Sequence, residues 1–456
     1  MEATNDPVRL PPAPRIPALV QEAAFVAARG AAIRAVGRRH GSEFTLDLPV
    51  FGRTVVVSDP ALVKEVFTAH TDLVGRAGTL GEVFGPGSTF SLDGAEHRAR
   101  RKLLVPPFHG RRMHGYEDII VEEVHREIDA WPEDTEFATL PSMMRITLNA
   151  ILRAVFGAEG DALAELRELL PPMVIRASRL AVLPPVFRTD FGPWSPWGRV
   201  ERMRRRYDAV VARLIAEARS DPALAERGDV LALMLQARYE DGSAITDEHV
   251  ADELLTLLAA GHETTATTLA WAVERLRRHP ELLRRLTAEV DDGRSDLLQA
   301  TVFEVQRVRP VINGFARVTK QRIRLGEWVL PERQVVMVSI SLAHAAERAF
   351  PDAAAFDPDR FVGHAPDTYT WIPFGGGVRR CIGAAFANME MTVTLRELLR
   401  AFTVVPSAAP GERSHSRGVA TAPGRGGRIA VRRRSIPSDT TGRATTHGGV
   451  AAATSR

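Results

Sequence analysis

The single cysteine, Cys381, lies in the segment of the chain with the clearest chemical potential. It ends the run Phe374-Gly-Gly-Gly-Val-Arg-Arg-Cys381, and a helical pattern begins just after Gly383. Unpaired N–H groups and the dipole at a helix start stabilise a thiolate, and glycines let the backbone approach a ligand closely. Gly383 leaves room for a flat group. The pattern favours a functional thiolate over a small buried hydrophobe.

A second candidate site lies in the middle of a long predicted helix. Thr246 is the expected N-cap, and the helix is expected to run to His279-Pro280. Its centre, residues 260–265 (AGHETT), is poor helix sequence, because glycine costs about 1 kcal/mol relative to alanine and threonine hydroxyls can bend a helix. This local weakness suggests a groove for a small ligand, and a solvated Glu-Thr patch is equally consistent with it.

Three further patterns place charged residues at helical or turn spacing. Glu304 and Arg307 stand at i, i+3, His97 and Arg101 stand at i, i+4, and Arg360 belongs to an Asp-Pro-Asp turn. Taken alone, each pattern is typical of a solvated surface and contributes little to stability.

The elements that must position these residues are mainly helical. At roughly 150 residues per domain, 456 residues suggest two or three domains, yet no linker divides the chain. The sequence predicts one large, mainly α domain over 1–434 with a minor β part, followed by a disordered tail over 435–456. The expected elements are a β-hairpin over 43–58 with its turn at Phe51-Gly52, a helix that Pro60 opens after Asp59, and helices over 95–290, followed by a β-rich patch over 322–341 and a helix over 382–402. Breaks between the helices of 95–290 are expected at Pro106-Pro107, Pro141, Pro171-Pro172 and 184–198.

Composition excludes several classes of protein. One cysteine excludes a disulfide scaffold and a multi-thiolate metal site, and it suits a reducing compartment. No stretch of about 18 or more apolar residues predicts a membrane span, and the N-terminus does not resemble a secretory signal. We therefore expect a cytoplasmic protein.

The net charge of +3 hides an uneven distribution. Residues 407–456 contain nine arginines and two acids, a net of +7, which leaves −4 for residues 1–406. The basic pI is therefore mainly a property of the C-terminal end, and we expect no nucleic-acid partner.

In this order and spacing, the motifs resemble those of the cytochrome P450 family of haem-thiolate monooxygenases. The Cys381 segment matches F-x-x-G-x-R-x-C-x-G at every fixed position, the helix centre matches A-G-x-[DE]-T, and Glu304 and Arg307 match E-x-x-R. The resemblance covers nearly the whole chain, from about residue 44 to about 434. It implies the family fold, with the long central helix over the haem.

The resemblance assigns a role to each motif residue. Cys381 would be the proximal thiolate on the iron of haem b, with Phe374 near its sulfur. Propionate donors would be His97, Arg101, Arg317 and Arg379. Other residues expected to contact the cofactor are Ala260, Gly261, Gly377 and Gly383. Glu304, Arg307 and Arg360 would form a buried structural triad behind the haem.

The implied reaction places one atom of O2 in an organic substrate and releases the other as water. Glu263 and Thr264 would relay protons. The small, apolar substrate would contact Leu80, Val83, Phe84, Met173, Val174, Leu183, Leu257 and Ala260.

Electrons would come from an acidic ferredoxin with its own reductase, since no fused flavin or iron–sulfur domain is recognisable. The expected docking face is Arg98, Arg100, Lys102, Arg111, Arg112 and Arg380. A solvated charged face is nearly as consistent with those six residues.

Two alternatives remain at this stage. A peroxide-driven peroxygenase of the same fold would need no redox partner, although such enzymes often lack the acid–Thr pair. A non-enzymatic haem-binding or gas-sensing protein would need no complete proton relay.

Overall fold

The computed structural model describes residues 1–48, 51–77, 80–110, 112–157 and 160–434. The predicted disordered tail over 435–456 and the residues just before the predicted hairpin turn lie outside this part of the chain.

Helices form most of the described chain. They are α1 (Ala18–His40), α2 (Pro60–Thr68), α3 (Leu80–Phe84), α4 (Gly94–Leu104), α5 (Arg112–Ile128), α6 (Leu140–Phe156), α7 (Asp161–Ala181), α8 (Pro196–Ser220), α9 (Val230–Gln236), α10 (Asp247–Leu276), α11 (Pro280–Asp291), α12 (Asp296–Val308), α13 (Ile340–Ala343) and α14 (Ala384–Ala401). Short 3-10 helices span Pro106–Phe108, Pro185–Arg188, Pro358–Phe361 and Gly377–Arg379.

The strands are short and form a minor part of the fold. They are β1 (Glu2–Ala3), β2 (Glu43–Leu48), β3 (Gly52–Val57), β4 (Val74–Arg76), β5 (Phe137–Ala138), β6 (Gly314–Thr319), β7 (Ile323–Leu325), β8 (Trp328–Leu330), β9 (Val335–Ser339), β10 (Phe402–Val404), β11 (Ser414–Ser416), β12 (Thr421–Pro423), β13 (Arg428–Ile429) and β14 (Val431–Arg433). The five-stranded sheet has the order β2-β3-β9-β6-β4, with only β3 and β9 parallel. Smaller sheets pair β1-β7-β8, β10-β14, β11-β12 and β13-β5.

Two predicted helix starts are present. The Asp59 side chain accepts hydrogen bonds from the backbone N–H groups of Ala61 and Leu62, so Pro60 opens α2. The Thr246 hydroxyl accepts from His249 and caps α10, which has 30 residues and is therefore about 45 Å long. This helix ends at Leu276, slightly before the predicted end at His279.

The predicted break at Pro171-Pro172 is wrong, because α7 continues through both prolines. A proline inside a helix removes a backbone hydrogen bond, which usually bends or ends the helix. Here buried side chains on both sides, including Leu166, Leu170 and Met173, hold the segment against the core. The burial of this apolar face outweighs the local defect.

The main core surrounds α10, which packs most extensively against α6. Gly261 permits that contact, because a Cβ at this position would lie 3.3 Å from Ile151. From α6, the Thr147 hydroxyl donates a 2.9 Å hydrogen bond to the His262 carbonyl of α10. The weak centre of α10 is thus a close helix–helix crossing. Among the described helices, none has a run that is both long and apolar enough for a membrane crossing.

Candidate functional site

A cavity of about 570 Å³ lies inside the protein, and its walls are mainly apolar. It brings together residues from most of the motifs, although they are far apart in the chain. The predicted site residues that line it are His97, Arg101, Ala260, Gly261, Glu263, Thr264, Arg317, Phe374, Arg379, Cys381 and Gly383. Gly377 and the three residues Glu304, Arg307 and Arg360 lie outside the lining and must act through other residues.

The loop before Cys381 is shaped by its contact with α2. Gly377 has φ +63°, and a Cβ there would lie 2.0 Å from the Phe67 carbonyl oxygen. A Cβ on Gly376 would lie 2.1 Å from the Phe67 ring. These two glycines therefore allow a close approach to a neighbouring helix, whereas the sequence favoured a close approach to a ligand. The Cys381 N–H donates to the Phe374 carbonyl at 2.9 Å, which closes the loop.

The Cys381 side chain lies deep in the protein, yet it is exposed because it faces the cavity. Burial raises the pKa of the thiol, and the Gly383 N–H, Arg101 and Arg380 oppose that shift. A Cβ on Gly383 would have no atom within 4 Å, so the backbone beside the thiol adjoins open space. This arrangement can accept a flat group whose metal ion binds the sulfur. No group of three or more acidic, histidine or cysteine side chains able to hold a metal occurs in the described chain.

Three of the four predicted propionate donors carry no ion pair with a described residue: His97, Arg101 and Arg317. His97 is 4% exposed, and burial together with Arg379 and Arg101 lowers its pKa to about 4, so it is uncharged at neutral pH. Burial and Arg379 lower the pKa of Arg317 to about 10, so its charge persists. Half-buried arginines without a counter-ion, together with a neutral histidine that can donate, fit a ligand that brings its own carboxylates, as haem does with its two propionates.

Arg379 is already engaged by the protein. Its guanidinium donates to the carbonyls of Thr89 and Leu92 and to the Asp93 carboxylate at 2.8 Å. Lys320 lies 3.0 Å from the same carboxylate. Asp93 was not identified from the sequence, where it appears only as a helix-start residue. Arg379 therefore anchors the cysteine loop to the start of α4, with fewer free donors than Arg101 and Arg317.

Glu263 and Thr264 line the cavity, but each has another partner. Glu263 is 5% exposed and accepts a 2.8 Å hydrogen bond from Arg417 Nε. The Thr264 hydroxyl donates to the Ala260 carbonyl at 2.7 Å, one turn back in α10. The sequence did not predict the Arg417 contact, since 154 residues separate the pair.

The pair formed by Glu304 and Arg307 is fully buried, so the surface interpretation of this motif is wrong. Two parallel hydrogen bonds of 2.7 Å join the side chains. Arg360 Nε lies 3.8 Å from the same carboxylate, and the Asp357 N–H donates to it at 2.8 Å. The structure therefore brings the three residues of the predicted triad together.

His344 connects this cluster to the cysteine loop. Its Nε2 accepts from the Ile372 N–H at 2.9 Å, so in the neutral ring Nδ1 carries the hydrogen and donates to the Arg307 carbonyl, 3.2 Å away. Burial lowers the pKa of His344 to about 3. Ile372 stands two residues before Phe374. The neutral His344 ring therefore links the buried pair of Glu304 and Arg307 to the loop before Cys381 by hydrogen bonds.

Most of the predicted substrate contacts line the cavity, namely Val83, Phe84, Met173, Val174, Leu257 and Ala260. Leu183 packs instead with a separate cluster around Trp197, and the Leu80 side chain lies outside the described part. The sequence missed lining residues that come from distant elements, among them Phe25, Ile33, Phe51, Val419 and Ala420.

One residue of the predicted docking face is misplaced. Arg100 is 2% exposed and donates to Gly87 and Tyr239, with Glu253 at 3.5 Å. It ties the loop before α4 to α10 and cannot meet a partner. The exposed members are Arg98, Lys102, Arg112 and Arg380, and Arg111 lies outside the described residues.

Comparisons with known proteins agree on one family. The family model described as Cytochrome P450 matches residues 11–426. A Mycobacterium tuberculosis protein named as a cytochrome P450 138 is 54% identical over 429 residues, which cover 94% of this chain and 97% of that protein. A second protein from this organism, named as a cytochrome P450 135B1, is 38% identical, with 93% and 91% covered.

Solved structures show the same fold. A retinoic-acid-bound cyanobacterial CYP120A1 aligns with a TM-score of 0.82 at 22% identity, covering 94% of this chain and 100% of that one. A cytochrome P450 described as CYP102L1 aligns with a TM-score of 0.79 at 26% identity, with 94% and 100% covered. The predicted fold class, mainly α with a minor β part, is confirmed.

Proposed function

Because the chain belongs to the cytochrome P450 family of haem-thiolate monooxygenases, we propose that it binds haem b through Cys381 and oxygenates a small, mainly apolar organic molecule. The observation that carries this proposal is the position of the lone thiol, which faces a largely apolar cavity beside half-buried arginines without a counter-ion. The haem would supply the reductive activation of O2, favoured by a thiolate ligand.

The residues around the thiol would hold and orient the cofactor. Arg101, Arg317 and His97 have donors for the propionates, and Arg379 contributes while it anchors the loop. Gly383 leaves open space for a flat ring, and Ala260 and Gly261 of α10 line the same cavity. Phe374, whose backbone carbonyl accepts the Cys381 N–H, would pack near the sulfur.

Glu263 and Thr264 would deliver protons to the oxygen that leaves as water. A carboxylate can take a proton from solvent and a hydroxyl can both donate and accept, so the two types can relay protons in sequence. Arg417 lies in the turn of the β11–β12 hairpin, and its guanidinium binds the Glu263 carboxylate. We propose that Glu263 leaves this ion pair during turnover, while Thr264 releases its bond to Ala260.

Glu304, Arg307 and Arg360 would stabilise the proximal side without touching the haem. Breaking a buried pair is costly because it leaves one uncompensated charge. Through His344 the pair supports the segment that leads to Phe374. The role of these three residues would therefore be to stabilise the fold and to retain the cofactor.

An acidic ferredoxin with its reductase is the proposed electron donor. Arg98, Lys102, Arg112 and Arg380 are exposed and could attract a negative partner. We propose the cytoplasm as the compartment, in line with the use of one unpaired cysteine.

The absorption spectrum of the reduced, CO-bound protein tests the ligand assignment. Wild type should show a Soret band far to the red of that of histidine-ligated haem. Cys381→Ala should lose this band, and the matched variant Val378→Ala, in the same loop, should keep it. A folded wild type without the red-shifted band contradicts the proposal.

Turnover assays separate the two enzymatic alternatives. With a ligand that perturbs the haem spectrum, product formation should be faster with NAD(P)H, reductase and ferredoxin than with peroxide alone. Faster turnover with peroxide would favour a peroxygenase, and no turnover of any such ligand would favour a haem-binding sensor.

A further inference from the structure

The cavity contains more positive charge than the cofactor accounts for. Among the described residues that line it, Glu263 is the only carboxylate, and it is paired with Arg417. Seven arginines line the same cavity: Arg29, Arg76, Arg101, Arg204, Arg317, Arg379 and Arg380.

Arg76 and Arg380 are exposed to solvent. Of the other five arginines, three lack an ion pair with any described residue. Arg101 and Arg317 are two of them, and the two haem propionates would neutralise them under the proposed function. The third is Arg29, which follows a non-helical residue, Ala28, inside α1.

Arg29 is separate from the cations beside the cysteine. The pKa of Arg29 is lowered by burial alone, with no charged neighbour contributing. The pKa values of Arg101 and Arg317, in contrast, are each lowered by burial and also by Arg379. The haem propionates would therefore neutralise Arg101 and Arg317, and Arg29 would remain without a counter-ion.

The Arg29 guanidinium is held in place with spare donors. It donates to the carbonyls of Gly418 and Val419 at 3.1 and 3.3 Å and stacks on Phe25 at 4.9 Å. Its Nε is buried and has no hydrogen-bond partner. Only two of five N–H groups are accounted for, and a guanidinium matches a planar carboxylate in geometry.

A second unsatisfied donor lies next to this position. Asn313 lines the cavity and is 7% exposed, and its Nδ2 is buried with no hydrogen-bond partner. A Cβ on Gly30, adjacent to Arg29, would lie 3.1 Å from Asn313 Oδ1. Leaving a buried N–H without an acceptor is unfavourable, so two such groups close together point to an oxygen-rich ligand group.

We propose that the substrate is an amphipathic carboxylic acid whose carboxylate pairs with Arg29 beside Asn313, while its apolar body extends along the cavity. The inference rests on the proposed function, which it deepens by naming the substrate class. The apolar residues from α7 and α10 accept the body of the molecule, and oxidation takes place on that part. Arg29 is a specificity-determining residue that orients the substrate.

Equilibrium binding by calorimetry tests the proposal with the haem-loaded full chain. Two matched pairs serve as probes: dodecanoate with 1-dodecanol, and 4-phenylbenzoate with 4-phenylbenzyl alcohol. Wild type should bind at least one acid roughly tenfold more tightly than its alcohol, because a hydrogen bond to a charged group contributes about 1.5–3 kcal/mol.

Three variants identify the residue responsible. Arg29→Gln should abolish the preference for the acid and change the affinity for the alcohol less than about twofold, and Arg29→Lys should keep part of the preference. Arg39→Gln, an exposed arginine of the same helix, should behave as wild type. If Arg29→Gln does not fold, the comparison of wild type with Arg29→Lys still decides.

Equal or tighter binding of the alcohols, no binding of either acid, or an acid preference that survives in Arg29→Gln would overturn the inference. Its failure is distinguishable from failure of the proposed function, because calorimetry needs no turnover and the CO-bound spectrum reports thiolate ligation independently.

Discussion

At the residue scale, two threonine hydroxyls of the central helix α10 have different surroundings. The hydroxyl of Thr264 faces the cavity, whereas that of Thr267 is buried without a hydrogen-bond partner. Both stand on α10 and have the same side chain. They therefore provide a matched comparison of a proton-relay role with a structural one.

Thr264→Ala should retain haem and substrate binding but waste reducing equivalents as peroxide. The hydroxyl can pass a proton and the methyl group cannot, so product per NAD(P)H should fall roughly tenfold or more, within the range that positioned proton transfer contributes. The measurement compares NAD(P)H consumed, peroxide released and product formed.

Thr264→Ser should restore coupling, and Thr267→Ala should leave it close to wild type. Unchanged coupling in Thr264→Ala, or equal uncoupling in both alanine variants, would count against the relay.

At the element scale, α12 and the loop before α14 are joined by a buried charged cluster. The bidentate pair of Glu304 and Arg307 stands behind the cysteine loop, and His344 links it to Ile372. These contacts connect separate elements of the fold. Their loss should therefore lower the free energy of unfolding more than it changes the reaction at the haem.

Glu304→Gln should destabilise the fold by about 3–5 kcal/mol, because Arg307 would keep a buried charge without its counter-ion. Haem retention should fall with it. Urea unfolding, followed by circular dichroism, measures the change in the free energy of unfolding.

Glu281→Gln is the matched control. Glu281 and Arg284 form an exposed pair with the same i, i+3 spacing, and its loss should leave the unfolding curve unchanged. A similar small effect in both variants would mean that the buried pair does not stabilise the fold.

The buried His344 predicts a loss of stability in acid. Its pKa is about 3 in the folded chain and about 6.5 as a free side chain. Between these values the unfolded chain binds more protons, so the stability contributed by the neutral ring is complete above pH 6.5 and decreases as the pH falls toward 3.

The comparison of wild type with His344→Gln isolates this effect. At pH 7.5 the variant should be less stable by about 1–3 kcal/mol, because its contacts with Ile372 and Arg307 are lost. The difference should narrow as the pH is lowered from 6.5 to 4.5, measured by urea unfolding. A constant difference would show that His344 does not titrate on unfolding.

At the scale of the whole molecule, the basic C-terminal end is largely neutralised by the protein. Five of its arginines form ion pairs with distant acids: Arg417 with Glu263, Arg428 with Glu136, Arg432 with Asp134, Arg433 with Glu133 and Arg434 with Asp291. Within the described part of this segment, which ends at residue 434, the high pI therefore does not correspond to a free basic surface. The exposed cations of α4, α5 and the cysteine loop remain as the candidate docking face.

Reduction by an acidic ferredoxin should slow severalfold as salt rises from about 0.01 M to about 1 M, because the screening length falls from about 30 Å to about 3 Å. Arg112→Glu should slow reduction at low salt and should make the reduction rate less dependent on salt concentration. Stopped-flow absorbance with subsaturating ferredoxin measures the rate.

Arg39→Glu, on α1, is the control with the same change of charge and should leave the rate unaltered. Salt-independent reduction of wild type would remove the electrostatic docking face from the proposal.

Sequence alone determined the residues with chemical potential and the local structure around them. Some features depend only on hydrogen bonds and backbone angles within a few residues, so the sequence is enough to recognise them. These are the cap at Asp59, the cap at Thr246 and the loop before Cys381. The resemblance carried by the motifs also led to the correct family and fold class.

Tertiary structure alone decided how those residues are paired. Arg379 with Asp93, Glu263 with Arg417 and the burial of Arg100 all depend on which surfaces meet, across separations that helical or strand spacing does not encode. The helix through Pro171 is a further case, because burial of an apolar face outweighed a local defect. Only the structure shows that Arg29 has no counter-ion among the described residues, because α1 packs against the β11–β12 hairpin and no carboxylate lies at that contact. Which charges surround a side chain depends on tertiary packing and cannot be recognised from neighbouring residues in the sequence.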